Sequence, residues 1–186
     1  MDRLPGEFAR QYLMSLLRDV PDFPKPGILF KDITPLLADP RGLHITLDLL
    51  AQRFVGEQID VVVAVESRGF IFGGALAARL NASFVPVRKP GKLPWKTESV
   101  AYALEYGEAT LHMHVDSIKP GARVVVVDDL LATGGTADAA AELARRQGGV
   151  VAGFAFVVEL DFLGGRTKLL AGAEPAPIVY SIVHID

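Results

Sequence analysis

Val124-Val125-Val126-Val127-Asp128-Asp129-Leu130-Leu131-Ala132-Thr133-Gly134-Gly135-Thr136 decides the fold of this chain. Four β-branched residues in a row predict a short strand buried on both faces, as in a parallel sheet. Two adjacent carboxylates follow, and then a turn of small and hydroxylated residues that opens a helix. Glycines allow close backbone approach, a helix start presents N–H groups and the positive end of its dipole, and the Thr133 and Thr136 hydroxyls add donors. The turn is therefore predicted to hold a phosphate. Asp128 and Asp129 stand where they can accept hydrogen bonds from vicinal hydroxyls or hold water on a divalent ion. No Lys follows the second Gly, so this is not a Walker A loop, and the glycine spacing is not that of the dinucleotide-binding fingerprint.

The buried-strand signature recurs outward from this point, at Asp60–Val65, Ser83–Val87 and Val150–Val158, with helical stretches at Phe70–Leu80 and Gly134–Gln147 between. Strand and helix alternate. That order predicts an α/β domain with a central, mainly parallel sheet, flanking helices and ligands at the carboxyl ends of the strands. Upstream, Phe8, Tyr12, Leu13, Leu16 and Leu17 give helical spacing over Glu7–Arg18, and Pro21, Pro24 and Pro26 forbid its continuation. Ile28-Leu29-Phe30 is a short extended run, and Leu43, Leu47, Leu50 and Phe54 share one face of a second helix. Residues 88–114 break the rhythm. Arg88-Lys89-Pro90-Gly91-Lys92-Leu93-Pro94-Trp95 is a basic, mobile loop, and alternation at Ala101–Leu104 and Thr110–His114 predicts a small hairpin after it. Ile178–His184 is a last strand.

The 186 residues, at a usual ~100–200 per domain, predict a single domain. Half are apolar and 22% are charged, so the chain can bury roughly 70% of its unfolded surface and is not a disordered tail. Its 19 basic against 22 acidic residues give a net charge of −3, without the basic excess of a phosphate-tracking nucleic-acid binder. The absence of Cys removes disulfides, thiolate nucleophiles and Cys-ligated metals together, and suits a reducing compartment. The longest apolar run, Val150–Val158, is too short to cross a bilayer, and MDRLPGEFAR has no apolar secretory core. The expectation is a cytoplasmic protein with no nucleic-acid or membrane partner.

Glu66-Ser67-Arg68-Gly69-Phe70 closes the strand Asp60–Val65 and enters a helix, again at a carboxyl edge. Arg68 and the neighbouring amides of Ser67 and Gly69 can clamp a second anionic group. His112 and His114 fall on one face of a strand but lack an apparent third ligand, and His44 and His184 are isolated in sequence; satisfied histidines are the expectation for all four.

The Asp128-to-Thr136 series resembles the 5-phosphoribosyl pyrophosphate (PRPP) motif of the type I phosphoribosyltransferase family. With Asp22–Pro35, Arg88–Pro94 and Tyr102–Gly107, the likeness extends colinearly over essentially the whole chain to the adenine-using members of that family. The resemblance implies the type I phosphoribosyltransferase fold, with a small base-binding hood in residues 1–37 and a flexible loop and hairpin in residues 88–114. It implies transfer of a phosphoribosyl group from PRPP to adenine, giving AMP and pyrophosphate, with Mg²⁺ accompanying PRPP and the protein acting as a homodimer.

Residue by residue, the resemblance assigns Ala132, Thr133, Gly134, Gly135 and Thr136 to the 5′-phosphate. Asp128 and Asp129 go to the ribose hydroxyls, with Mg²⁺ held near them by PRPP and water rather than by direct ligation. Glu66, Ser67, Arg68, Arg88 and Lys92 go to pyrophosphate, with a cis Glu66–Ser67 peptide. Leu29, Phe30 and Lys31 go to adenine; many relatives have Arg where this chain has Lys31, which exchanges a planar guanidinium for a point charge and an alkyl stem. Glu105 is implied as general base and Arg68 as the catalytic cation, with Tyr106 in the hood. Adenine would be read mainly by main-chain groups, so guanine, hypoxanthine, xanthine or orotate stay open as the base. A PRPP-sensing regulator without catalysis is the remaining alternative, though its expected basic face is missing.

Overall fold

A computed structural model describes residues 5–103, 108–172 and 174–186. The chain divides into two compact units, Met1–Leu49 and Leu50–Asp186.

In the first unit, helix α1 (Pro5–Ser15) is followed by strand β1 (Arg18–Pro21), strand β2 (Leu29–Asp32), helix α2 (Thr34–Ala38) and the start of helix α3 (Pro40–Phe54). The helix predicted to reach Arg18 stops at Ser15 because Arg18–Pro21 pairs antiparallel with β2, from Arg18 opposite Asp32 to Pro21 opposite Leu29. Opposite charges meet across this ladder, Arg18 with Asp32 at 3.9 Å and Lys31 with Asp19 at 2.5 Å. Such cross-strand pairs favour the strand over continued helix. The Pro-punctuated loop lies between the strands, with Phe23–Pro24 cis. Tyr12 donates a 2.9 Å hydrogen bond to Asp39, which also accepts the Gly42 amide at 2.6 Å in the first turn of α3. The amide first and then the phenol hold the Asp39 carboxyl below its ordinary value.

The second unit contains β3 (Val61–Val65), α4 (Gly69–Leu80), β4 (Ser83–Val87), β5 (Thr97–Ala103), β6 (Glu108–His114), β7 (Arg123–Leu131), α5 (Gly135–Arg146), β8 (Val150–Leu160), α6 (Gly165–Leu170) and β9 (Ile178–Ile185). Five strands form one sheet in the order β4-β3-β7-β8-β9, every neighbouring pair parallel. A parallel sheet needs both faces covered. Val61, Val63, Val65, Val124 and Val126 pack with Ala137, Ala140, Ala141, Leu143 and Ala144 of α5 in one buried cluster. On the other face α4 comes so close that a Cβ on Gly73 would lie 2.5 Å from the Ala64 Cβ.

Two boundaries differ from the sequence expectation. β7 runs through Asp128 and Asp129 to Leu131, because β8 continues beside it and supplies ladder partners as far as Glu159, opposite Leu131. The hairpin strand β5 begins at Thr97, opposite His114, ahead of the visible alternation. The basic loop is tied to this hairpin by reciprocal bonds between Arg88 and His112, at 3.0 and 2.7 Å. Among the described residues, no helix is long and apolar enough to cross a membrane.

The two consecutive glycines of α4 give matched substitutions of opposite sign. Gly73→Ala should lower unfolding free energy by about 1–3 kcal/mol through overpacking. Gly74, with nothing within 4 Å of an added Cβ, should gain up to ~1 kcal/mol as Ala from helix propensity. Urea unfolding of the two variants checks both signs.

Candidate active site

β3 and β7 lie side by side in parallel register, Val61 opposite Val124 through Ala64 opposite Val127. The segments that leave them therefore emerge at one edge of the sheet. Two adjoining hollows open there. One, of about 200 Å³, is lined by Arg68 and by Asp128 to Ala137; the other, of about 510 Å³, is lined by Val65 to Arg68, Lys89, Lys92, Tyr102, Leu111 and again Asp128, Asp129 and Thr136.

The first hollow is the predicted phosphate turn. Gly134 stands at φ +80° as the residue before α5, a conformation that side chains resist. The first amides of α5 have no carbonyl one turn earlier in the helix to bond, so they point out of it as donors. Thr133 is exposed and Thr136 half-buried at the rim. Hairpin residues reach this turn from above, since a Cβ on Gly135 would lie 3.4 Å from the Ala103 carbonyl oxygen and 3.6 Å from the Tyr102 ring.

The second hollow is floored by Glu66-Ser67-Arg68, and its Glu66–Ser67 peptide is cis, as the resemblance implied. Gly69 follows for a steric reason that sequence alone did not show: a Cβ there would stand 2.9 Å from the Val127 carbonyl and 3.0 Å from Asp128 Oδ1. The two ligand segments thus touch directly. Arg68 Nε lies 2.5 Å from Asp129 Oδ2, and its side chain keeps 42% of its surface accessible on the cleft side of that ion pair. Asp129 is almost fully buried. Burial and then the Asp129 charge push the Asp128 carboxyl well above its ordinary value, Arg68 opposing only in part.

Glu66 lines the second hollow while its carboxylate is bonded to the basic loop. It accepts Arg88 Nε at 2.9 Å and the Lys89 amide at 2.7 Å, while Arg88 also donates to the Lys92 carbonyl at 3.0 Å. Burial opposes ionisation of Glu66, yet the Lys89 amide, Arg88 and Lys92 hold its carboxyl below the ordinary value. Glu66 and Arg88 therefore neutralise each other at the base of the basic loop. Lys92 lines the cleft as expected, joined by Lys89 and Tyr102, which the sequence did not single out. Lys89 lies within the basic run and Tyr102 on the alternating face of β5, so both carried a signal.

Leu29, Phe30 and Lys31 form most of β2 in the first unit. Leu29 is half exposed, Phe30 meets Phe23 edge-on at 5.1 Å, and the Lys31 ammonium is paired with Asp19. Glu105 and Tyr106 lie outside the described residues. His112 Nδ1 faces Thr97 Oγ1 at 2.9 Å, and His114 Nε2 accepts the Trp95 amide at 3.4 Å, so both imidazoles have hydrogen-bond partners. His184, isolated in sequence, meets Asp161 at 3.0 Å and lies 3.8 Å from Glu159. Those three could group around an ion, but Arg166 already occupies both Glu159 oxygens.

Residues 33–168, more than half the chain, match the family described as phosphoribosyl transferase domain. The chain belongs to the phosphoribosyltransferase family. It is 79% identical over 183 residues, covering 98% of this chain and 92% of the relative, to the adenine phosphoribosyltransferase of Sorangium cellulosum (strain So ce56). The crystal structure of adenine phosphoribosyltransferase from Thermoanaerobacter pseudethanolicus is similar at a TM-score of 0.89 and 47% identity, over 95% of this chain and 99% of that one. The Trypanosoma brucei adenine phosphoribosyl transferase, solved with AMP, pyrophosphate and ribose-5-phosphate, is similar at 0.85 and 25%, over 95% and 79%. The branch of the family in which this chain sits is that of the adenine phosphoribosyltransferases.

Asp128→Asn should stabilise the ligand-free protein at pH 7. A carboxyl whose folded pKa is raised favours the protonated protein, so its penalty sets in as pH rises through the unfolded value of ~4 and is complete above the folded one. The variant's advantage in Tm should therefore be present at neutral pH and shrink toward pH 4, which thermal melts across that range will show.

Proposed function

We infer that the chain transfers the 5-phosphoribosyl group of PRPP to adenine, giving AMP and pyrophosphate. The observation that carries this reading is the pair of adjoining hollows, one at the start of α5 and one lined by Arg68, Lys89 and Lys92, which share the Asp128–Asp129 pair, in a chain of this family. Ribose hydroxyls accepted by the two aspartates would set the sugar between its own 5′-phosphate and its pyrophosphate.

The adenine nitrogen is the nucleophile, so the protein has to position, neutralise and shield rather than attack. Positive charge develops on the ribosyl carbon as its bond to pyrophosphate lengthens, as in other glycosyl transfers. Arg68, held by Asp129, offers its accessible edge to the departing anion, and Lys89 and Lys92 add charge at the same hollow. Ala132 to Thr136 hold the 5′-phosphate that does not react, which keeps the ribose in place through the transfer. Glu105 is the general base for the proton that adenine loses, with Tyr106 as a packing or phosphate-contacting partner. Leu29, Phe30 and Lys31 read the base.

The crowding of Asp128 against Asp129 fits a divalent cation, because a hydrated ion offsets the burial and the Asp129 charge that together push Asp128 up. Asp128 and Asp129 would hold the waters of Mg²⁺, which when bound neutralises pyrophosphate charge. The protein works as a cytoplasmic homodimer in this reading.

Adenine, PRPP and Mg²⁺ supplied to the purified chain should give AMP, with guanine, hypoxanthine, xanthine and orotate giving little; failure with adenine, or better turnover of another base, removes the assignment. Glu105→Gln should lower kcat by about 10²–10⁴-fold while PRPP binding survives, and an unchanged kcat/KM takes Glu105 out of the chemistry. Asp128→Asn should instead weaken PRPP binding.

A further inference from the structure

Gly165 opens α6 with its backbone pressed against the phosphate turn. A Cβ built there would stand 2.2 Å from the Ala132 carbonyl oxygen, 2.8 Å from Leu131 Cδ1 and 3.0 Å from the Gly134 nitrogen. The contact is reciprocal, since a Cβ on Gly134 would stand 2.9 Å from the Gly165 carbonyl oxygen and 3.3 Å from its Cα. Two glycines from segments some thirty residues apart thus meet backbone to backbone. Close packing leaves neither of them room for a side chain.

A charge pair holds the second glycine in place. Arg166, the next residue, donates from Nε and Nη2 to the two Glu159 oxygens, at 3.0 and 2.5 Å, and from Nη1 to the Val179 carbonyl at 2.7 Å. Glu159 is only 2% exposed, and a bidentate fork fixes direction as well as distance. Glu159 is also the β8 residue opposite Leu131 in the ladder. The anchor is therefore set on the rung where β7 ends and the phosphate turn begins.

We propose that Gly165, seated by the Glu159–Arg166 pair, is a positioning residue for the turn that grips the 5′-phosphate. It fixes the Ala132–Gly134 backbone from behind, so that the turn meets the phosphate without rearranging. The Ala132 carbonyl and the Thr133 N–H belong to one planar peptide unit. A group that displaces the oxygen must therefore rotate the donor at the other end. The proposal rests on the 5′-phosphate reading of this turn, and calorimetry on the full chain separates the two.

Ribose 5-phosphate and pyrophosphate are titrated separately into wild type and Gly165→Ala. Wild type that fails to bind ribose 5-phosphate overturns the reading of the turn, and the proposal with it. Where wild type binds, Gly165→Ala should lose about tenfold or more in ribose 5-phosphate affinity and stay within about twofold of wild type for pyrophosphate. Equal ribose 5-phosphate affinity, or parallel loss of both ligands, overturns the positioning role alone. Arg166→Lys, which keeps the charge but not the fork, carries the same comparison if Gly165→Ala does not fold. It should lose about threefold for ribose 5-phosphate only, and an unselective or absent loss counts against the proposal.

Discussion

The parallel pairing of β3 with β7 is the constraint from which the site follows. Parallel neighbours end at the same edge, so whatever each strand carries at its carboxyl end is delivered to one place. Here one strand delivers Glu66-Ser67-Arg68 and the other delivers two aspartates and the phosphate turn. Contact between them is then tightened by a missing side chain, because Gly69 lets α4 start against the Asp128 backbone. The valines that make the strands apolar on both faces are thus the first cause of a polar cleft whose two halves lie far apart in sequence.

Inside that cleft the electrostatics are deliberately unbalanced. Asp128 and Asp129 crowd each other with Arg68 as their near cation, and the basic loop spends one of its charges on Glu66. Lys89 and Lys92 line the same hollow as the two aspartates. Perturbed carboxylates of this kind mark functional sites more often than they stabilise folds.

The strand–turn–helix from Val124 to Thr136 and the buried strands on either side were legible because their signals are local: β-branching, glycine and adjacent charge. What escaped was set by partners distant in sequence. β7 extends past its acids only because β8 lies beside it, and β1 forms because Asp32 and Lys31 wait opposite Arg18 and Asp19. Lys89 and Tyr102 looked like an ordinary loop and an ordinary hairpin residue until the fold placed them at the cleft. Glu159, Arg166 and Gly165 form one support, but in the sequence they are an acid ending an apolar strand and a glycine pair in a short connection. Glu66 stands where the strand ends, as its sequence position implies, while the partner of its carboxylate, the Arg88–Lys89 segment, is set by the fold.

A turn that presents main-chain amides at the start of α5 has a consequence for how the protein tolerates mutation. Most side chains of the turn can change without altering these donors, since every residue but proline brings the same N–H. Fragility is concentrated instead at positions that must lack a side chain: Gly69 against Asp128, and Gly134 against Gly165. Harmful substitutions at the turn should therefore fall on a few glycines whose own chemistry is inert, in addition to the charged residues beside them.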